Sequence, residues 1–229
     1  TVAQRDAAPS RTTSSPPAPW RSRRGAESTV NKPLKEIVIV GGGTAGWVTA
    51  AVRAAGDESH LESGVRITLI ESPDVSTIGV GEGTWPSMRD TLSRIGVSEA
   101  DFIRQCSASF KQGSKFVGWR TGAPEDFYYH PFSLPQGYLK SNLIPYWQSE
   151  HPEVSFAAAF GTQEVLCEHG RAPKQISTPE YAAVANYAYH LDAGKFASFL
   201  QNYCVEKLGV RHILDHVTGV NSSEDGDIK

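Results

Sequence analysis

Gly41, Gly43 and Gly46 stand in the pattern G-x-G-x-x-G, the spacing at which a backbone turn can close on a diphosphate. Gly41 permits the tight turn, Gly43 lets a pyrophosphate approach the main chain, and Gly46 lets a following helix pack against the preceding strand. The unpaired N–H groups and partial positive charge at the start of that helix, at Thr44 and Ala45, favour the same anion. Glu71 lies where an acid would accept hydrogen bonds from adenosine ribose hydroxyls. This is the chemistry of a dinucleotide site. The fingerprint leaves FAD and NAD open, while an acid rather than a basic residue at Glu71 argues against the 2′-phosphate of NADP. A second glycine cluster follows, Ile78-Gly79-Val80-Gly81-Glu82-Gly83-Thr84-Trp85-Pro86, too glycine-rich for a stable strand or helix, so it reads as a loop.

Such a turn works only between a strand and a helix. Leu34 to Val40 is short, β-branched and bounded by glycines, as expected of a parallel strand buried on both faces. Thr44 to Ala55 is good helix-forming sequence with Ala45, Val48, Ala51 and Val52 on one side, and Val65 to Ile70 is a second strand ending at Glu71. The order is β-α-β, which predicts an α/β, Rossmann-like nucleotide-binding fold. Two short helices are expected next, Ser87 to Ile95 with Met88, Leu92 and Ile95 on one face, and Ser98 to Cys106 opened by a Ser98-x-x-Asp101 capping box. Of Ser109 to Arg120, the second half reads as a strand. Asp192 caps a helix running to about Leu208, with Phe196, Phe199, Leu200, Tyr203 and Cys204 as its buried stripe and Gly209 as its stop. A strand from Val210 to Leu214 follows, then a turn into a hairpin through Val217 and Val220 to Gly226.

Composition narrows the function class. Hydrophobic residues make up 39% and charged residues 21% of the 229, with a formal charge of −3, which describes a globular chain and argues against a phosphate-neutralising nucleic-acid binder. The basic surplus is confined to residues 1 to 32, a Ser, Thr, Pro, Ala and Arg-rich stretch with little to bury, read as a disordered tail; the folded part opens at Pro33. No apolar run is long enough to span a membrane. Cys106, Cys167 and Cys204 are odd in number and far apart, which fits neither a disulfide framework nor a zinc knuckle and points to a reducing, cytoplasmic setting. His130, His169 and His190 lack ligand spacing, so no metal site is expected. Phe127 to Phe160 is dense in aromatic residues, which can be read as ordinary packing or as part of an apolar wall for a planar ligand.

From Pro33 to Lys229 the chain resembles the flavin-dependent halogenases of the tryptophan halogenase family. The matching pieces are IVIVGGGTAGW (Ile37 to Trp47), ITLIES (Ile67 to Ser72), IGVGEGTWP (Ile78 to Pro86), SFKQGSKFVGW (Ser109 to Trp119) and AYHLDAGKFASFL (Ala188 to Leu200). The first two are shared with many flavoproteins; the third and fourth, in that order and spacing, are far more specific. The resemblance implies a Rossmann-like FAD-binding fold of the monooxygenase and halogenase type, with an aromatic-rich substrate region inserted at about residues 121 to 187. It implies reduced FAD as cofactor, held by Gly41, Gly43, Thr44, Ala45, Gly46 and Glu71, and by a strap comprising Gly79, Val80, Gly81, Glu82, Gly83 and Thr84. The strand returning to the nucleotide-binding sheet would bring Val217 near the flavin.

The resemblance also makes Lys111 the active-site lysine. In the family, reduced flavin, dioxygen and halide yield hypohalous acid, which passes through a tunnel to this lysine and is delivered to an aromatic ring such as an indole or phenol. An ammonium can polarise hypohalous acid, and an amine freed by desolvation can itself be halogenated. Without the resemblance, Lys111 would be read as one more solvated lysine. Lys115, four residues on, is expected to be structural or surface-facing. A separate flavin reductase is the implied partner, with no nucleic acid and no membrane. Family members continue for about as long again and carry a W-x-W-x-I-P signature that is absent here, so the chain is expected to be the N-terminal portion of a halogenase. Two alternatives stay open, a flavin monooxygenase that oxygenates instead, and a truncated nucleotide-binding module without catalysis.

Overall fold

The computed structural model describes residues 34–56, 64–75, 79, 81–224 and 227–228. The expected disordered tail, and Ile78 and Val80 of the second glycine cluster, lie outside the described residues. The first sheet is parallel, in the order β1–β2–β8: β1 is Glu36–Val40, β2 is Arg66–Glu71 and β8 is Arg211–Leu214. Between β1 and β2 runs α1, Thr44–Ala55, giving the β-α-β unit read from the sequence.

Two details of that unit differ from expectation. In β1, Val38 and Val40 are 49% and 61% exposed, so the strand is covered on one face rather than both. Among the described residues it stands at the edge of the sheet, with α1 packed on one side of it. On α1, Ala45 is exposed and the stripe that faces the core is Trp47, Ala50 and Ala51, with Val48 and Val52 at its margin. The indole, the largest apolar surface on the helix, sets which side turns inward.

The second sheet is antiparallel, in the order β3–β7–β4, formed by Glu82–Gly83, Ala188–Leu191 and Ser109–Lys111. The loop expected at the second glycine cluster is thus partly a strand, because Glu82 and Gly83 pair with Leu191 and His190. Thr84 extends the link, accepting from and donating to the backbone of Tyr189. Ser109 to Val117 also holds two strands rather than one. After β4, Gln112 interrupts the chain and β5, Gly113–Val117, turns away to pair with β6, Phe127–Pro131.

Helices α2 (Ser87–Arg94), α3 (Glu99–Gln105) and α7 (Ala193–Glu206) support the second sheet. Ser98 and Asp192 cap α3 and α7 through hydrogen bonds from the N–H groups of Asp101 and Lys195, as read. Gly209, at φ +67°, closes α7. The core joins Trp47 and Leu69 to Leu92, Phe102, Tyr187, Tyr189, Phe196 and Leu200, each worth about 1.5–3 kcal/mol of burial. Phe102 meets Tyr189 and Phe196 edge-on at 4.8 and 5.4 Å. The aromatic-rich stretch contributes β6 and the short helices α4 (Ile144–Glu150), α5 (Phe156–Phe160) and α6 (Gln163–Glu168). Beyond β8 the expected hairpin reduces, among the described residues, to one antiparallel bridge between Ser222 and Ile228. Among the described residues no helix is long and apolar enough to cross a membrane.

Candidate functional site

The glycine turn joins β1 to α1. Gly41 holds φ +117°, a conformation disfavoured for residues with a side chain, and its N–H donates to the carbonyl of Ile70 on β2. A Cβ on Gly46 would overlap the Gly41 carbonyl, so the close approach of helix and strand depends on that glycine. At the helix start Gly43 is the N-cap and supplies no side-chain acceptor, and the first turn carries no acid. Those N–H groups remain available to an anion. In front of them lies a cavity of about 500 Å³ lined by Val40 to Gly43, Ile70 to Ser72, Val75 and Asp215 to Val217.

Gly41, Gly43, Glu71 and Val217 therefore share one cavity, a set drawn from three separate stretches of chain. Thr44, Ala45 and Gly46 belong to the adjoining first turn of α1 but do not line it. Glu71 ends β2, and its Oε2 lies 3.0 Å from His212 Nε2 on β8. The far nitrogen of that ring, Nδ1, is 3.2 Å from Gln201 Nε2, and the ring packs edge-on against Trp47. The glycine cradle, the anion-accepting helix start and the carboxylate suit the diphosphate and ribose of a dinucleotide.

Lys111 occupies a different place. It ends β4 opposite Ala188, so its side chain shares a face of the second sheet with His190 and Gly83. A Cβ on Gly83 would lie 2.9 Å from Lys111 Nζ and 3.4 Å from His190 Nδ1, so both nitrogens converge on this strap glycine. The ammonium is flanked by Trp85 at 5.7 Å and Phe132 at 5.6 Å to the ring centroids. It is half-buried and makes no hydrogen bond or ion pair among the described residues. Burial, then the Lys111 charge, pushes His190 below the ordinary imidazole range.

Of the strap, Gly79 abuts Ala193, Gly81 approaches the Leu191 carbonyl and Glu82 is exposed. The Thr84 hydroxyl is turned into the sheet toward Tyr189. Val80 lies outside the described residues. Lys111 lines neither the glycine cavity nor a second cavity of about 810 Å³ between β6 and α5. That second cavity is walled by Phe127, Tyr128, Tyr129, Trp147, Phe156 and Phe160, which gathers much of the aromatic-rich stretch.

Lys115 has the structural surroundings expected of it. Its Nζ is 2.8 Å from Glu168 Oε1 and 4.1 Å from the centroid of Phe127. The Glu168 and Tyr129 hydrogen bonds raise its pKa despite some desolvation. The cysteines are free thiols; burial pushes Cys106 and Cys204 up to about 12, which leaves them unreactive.

The sequence does not show Trp85 and Phe132 as neighbours of Lys111, nor His212 as the partner of Glu71 with Gln201 behind it. A histidine within the predicted strand Val210-Arg211-His212-Ile213-Leu214 was the available signal for His212. Nor does the sequence show Glu99 as a buried carboxylate behind the second sheet. That carboxylate accepts from Lys174 Nζ at 2.8 Å, Tyr187 Oη at 2.5 Å, Tyr189 Oη at 2.7 Å and the Tyr181 N–H at 2.8 Å.

A family profile described as tryptophan halogenase matches residues 36–229. Tryptophan 6-halogenase ThaL of Streptomyces albogriseolus is 34% identical over 212 residues, which are 85% of this chain and 39% of that protein. The crystal structure of a tryptophan halogenase from Shewanella frigidimarina superposes with TM-score 0.78 at 54% identity, over 86% of this chain and 39% of the other. A flavin-dependent halogenase from Xanthomonas campestris gives TM-score 0.72 at 31% identity, over 86% and 38%. The chain thus spans about two fifths of the length of these relatives.

Proposed function

Since the chain belongs to the tryptophan halogenase family, whose Rossmann-like fold it shares, we propose that it is the nucleotide-binding and lysine-bearing part of a flavin-dependent halogenase acting on an aromatic ring such as an indole or phenol. Reduced FAD, when bound, would supply the oxidising chemistry that turns dioxygen and halide into hypohalous acid, with a separate reductase providing the reduced flavin. The Gly41–Gly46 turn would hold the diphosphate and Glu71 the adenosine ribose, with Val217 on the far wall of the same cavity. The strap from Gly79 to Thr84 would cover the flavin and is joined to the lysine's sheet by its own strand.

The observation that carries this reading is the state of Lys111. A half-buried ammonium flanked by two aromatic rings, with no acceptor among the described residues, is a donor awaiting one. Hypohalous acid offers an oxygen to accept from it, and the Lys111 N–H would polarise the O–halogen bond toward the ring to be attacked. The aromatic-walled region at residues 121 to 187 would form the side from which a planar substrate is presented.

The test is direct. The full-length gene product, given reduced FAD, dioxygen and bromide or chloride, is expected to halogenate an indole or phenol, and Lys111→Met to lower the rate by about a hundred- to a thousandfold, the scale of losing one preorganised donor. A Lys111→Met protein as active as the parent would refute the reading, and a hydroxylated product formed without halide would replace it with a monooxygenase.

A further inference from the structure

We propose that His212, held by Gln201, is the positioning residue for the Glu71 carboxylate, engaging one of its oxygens so that the other is presented to the ribose hydroxyls of a nucleotide seated on the Gly41–Gly43 turn. The inference rests on the dinucleotide reading above and adds to it a residue that does not line the cavity in front of the turn. It begins from a polar side chain in an apolar setting. His212 pairs with Leu69 in the parallel sheet, its side chain is 15% exposed, and Trp47 packs against its ring with centroids 5.0 Å apart. A buried imidazole needs a partner at each nitrogen.

Both partners are present, and together they set the tautomer. The Gln201 amide nitrogen, 3.2 Å from Nδ1, can only donate, so Nδ1 is the acceptor and the ring proton resides on Nε2. Nε2 therefore donates to Glu71 Oε2 at 3.0 Å. The other oxygen, Oε1, makes no hydrogen bond among the described residues. It lies over Gly42, where a Cβ would overlap it, and Glu71 and Gly42 both line the cavity in front of the turn. Gln201, His212 and Glu71 thus form a line from helix α7 through strand β8 to the end of β2, with a free carboxylate oxygen at its tip.

A glutamate at the end of a strand has several rotamers, and binding would otherwise have to select one. Fixing it beforehand removes that entropic cost from the binding step. The same logic separates this role from plain packing. A histidine that only fills space beside Trp47 would stabilise the site for any ligand, whereas one that aims Glu71 matters only to ligands with ribose hydroxyls.

The experiment uses the 229-residue chain and two probes, ADP and its 2′,3′-dideoxyribose counterpart, titrated by calorimetry. The parent is expected to prefer ADP by about tenfold, the size of one hydrogen bond to a charged group. His212→Leu, which keeps apolar contact with Trp47, is expected to erase that preference while leaving the dideoxy compound's affinity unchanged. His212→Gln, with an amide donor near the place of Nε2, should recover most of it. Equal weakening of both probes in His212→Leu, or a retained preference, would overturn the inference alone. A parent chain that binds neither probe would overturn it together with the nucleotide reading.

Discussion

The two faces of the β3–β7–β4 sheet carry charge in opposite ways. On one face Tyr189 of β7 and Tyr187 just before it donate to Glu99, which also accepts from Lys174 and from the Tyr181 backbone, so a carboxylate with 4% of its side chain exposed has a full set of partners. On the other, Lys111 lies across from Ala188 between two aromatic rings, with no acceptor among the described residues. One strand separates them. A charge kept for the fold is saturated, because leaving it unpaired in the interior costs several kcal/mol. A charge left unsaturated at the margin of the same sheet is free to meet a ligand.

Glu99→Leu would break the comparison most severely. It strands the Lys174 ammonium, 9% exposed, and removes the acceptor of two phenols, for a loss of about 3–5 kcal/mol in urea denaturation. A loss under about 1 kcal/mol, the scale of a surface pair, would mean that the two faces do not differ as described.

Acid tests the same face without mutation. Burial pushes the Glu99 carboxyl up, but the Lys174 hydrogen bond, the phenols and the Tyr181 N–H outweigh it and hold the group below its ordinary value of 4.5. With the folded value depressed, the unfolded chain binds the proton more readily. The stabilisation is therefore complete above about pH 4.5 and is lost as pH falls through the lower, folded value. Stability measured downward through this range should fall more steeply in the parent than in Glu99→Leu. Parallel curves would remove Glu99 from the account.

How much of this was legible in the sequence follows from how local each feature is. The β1–α1–β2 unit, the Gly41 turn and the caps at Ser98 and Asp192 are set by residues within a few positions of one another, and hydrophobic period and cap chemistry reveal them. Pairings across distance leave no such mark. Glu82 and Gly83 become a strand only because residues 190 and 191 lie beside them. Glu99 follows a capping serine and looks like any first-turn acid until Tyr187 and Tyr189 arrive. Glu71 and His212 are 141 positions apart. The glycine turn and Glu71 were named from sequence with a stated role, whereas Lys111 was singled out only by resemblance, since nothing beside it in sequence separates it from Lys115.

Gly83→Ala sharpens the contrast from the Lys111 face. The new methyl would meet Lys111 Nζ at 2.9 Å and His190 Nδ1 at 3.4 Å, both at the ends of side chains that can move aside. The stability cost should stay under about 1 kcal/mol, since a flexible side chain yields where a packed core would not. Halogenation by the full-length protein should nonetheless fall, because the displaced atom is the one proposed to hold hypohalous acid. A large loss of stability would show this face to be packed as tightly as the one behind it.

Lys111→Met carries the smallest expected effect on the fold and is the sharpest statement of the difference. Methionine keeps an apolar stem of similar length against Trp85 and Phe132 and removes only the ammonium, which among the described residues gives up no ion pair and no hydrogen bond. What the fold loses is cation–π attraction at centroid distances of 5.7 and 5.6 Å, near the outer limit of such contacts. Stability should change by less than about 0.5 kcal/mol, as for an ordinary surface replacement. The lysine at position 174, replaced in the same way, should behave in the opposite sense, because Glu99 would keep its charge and lose its counter-ion. If denaturation showed Lys111→Met to be the more damaging of the two, the ammonium at position 111 would be serving the fold, and the reason for assigning it to a ligand would be gone.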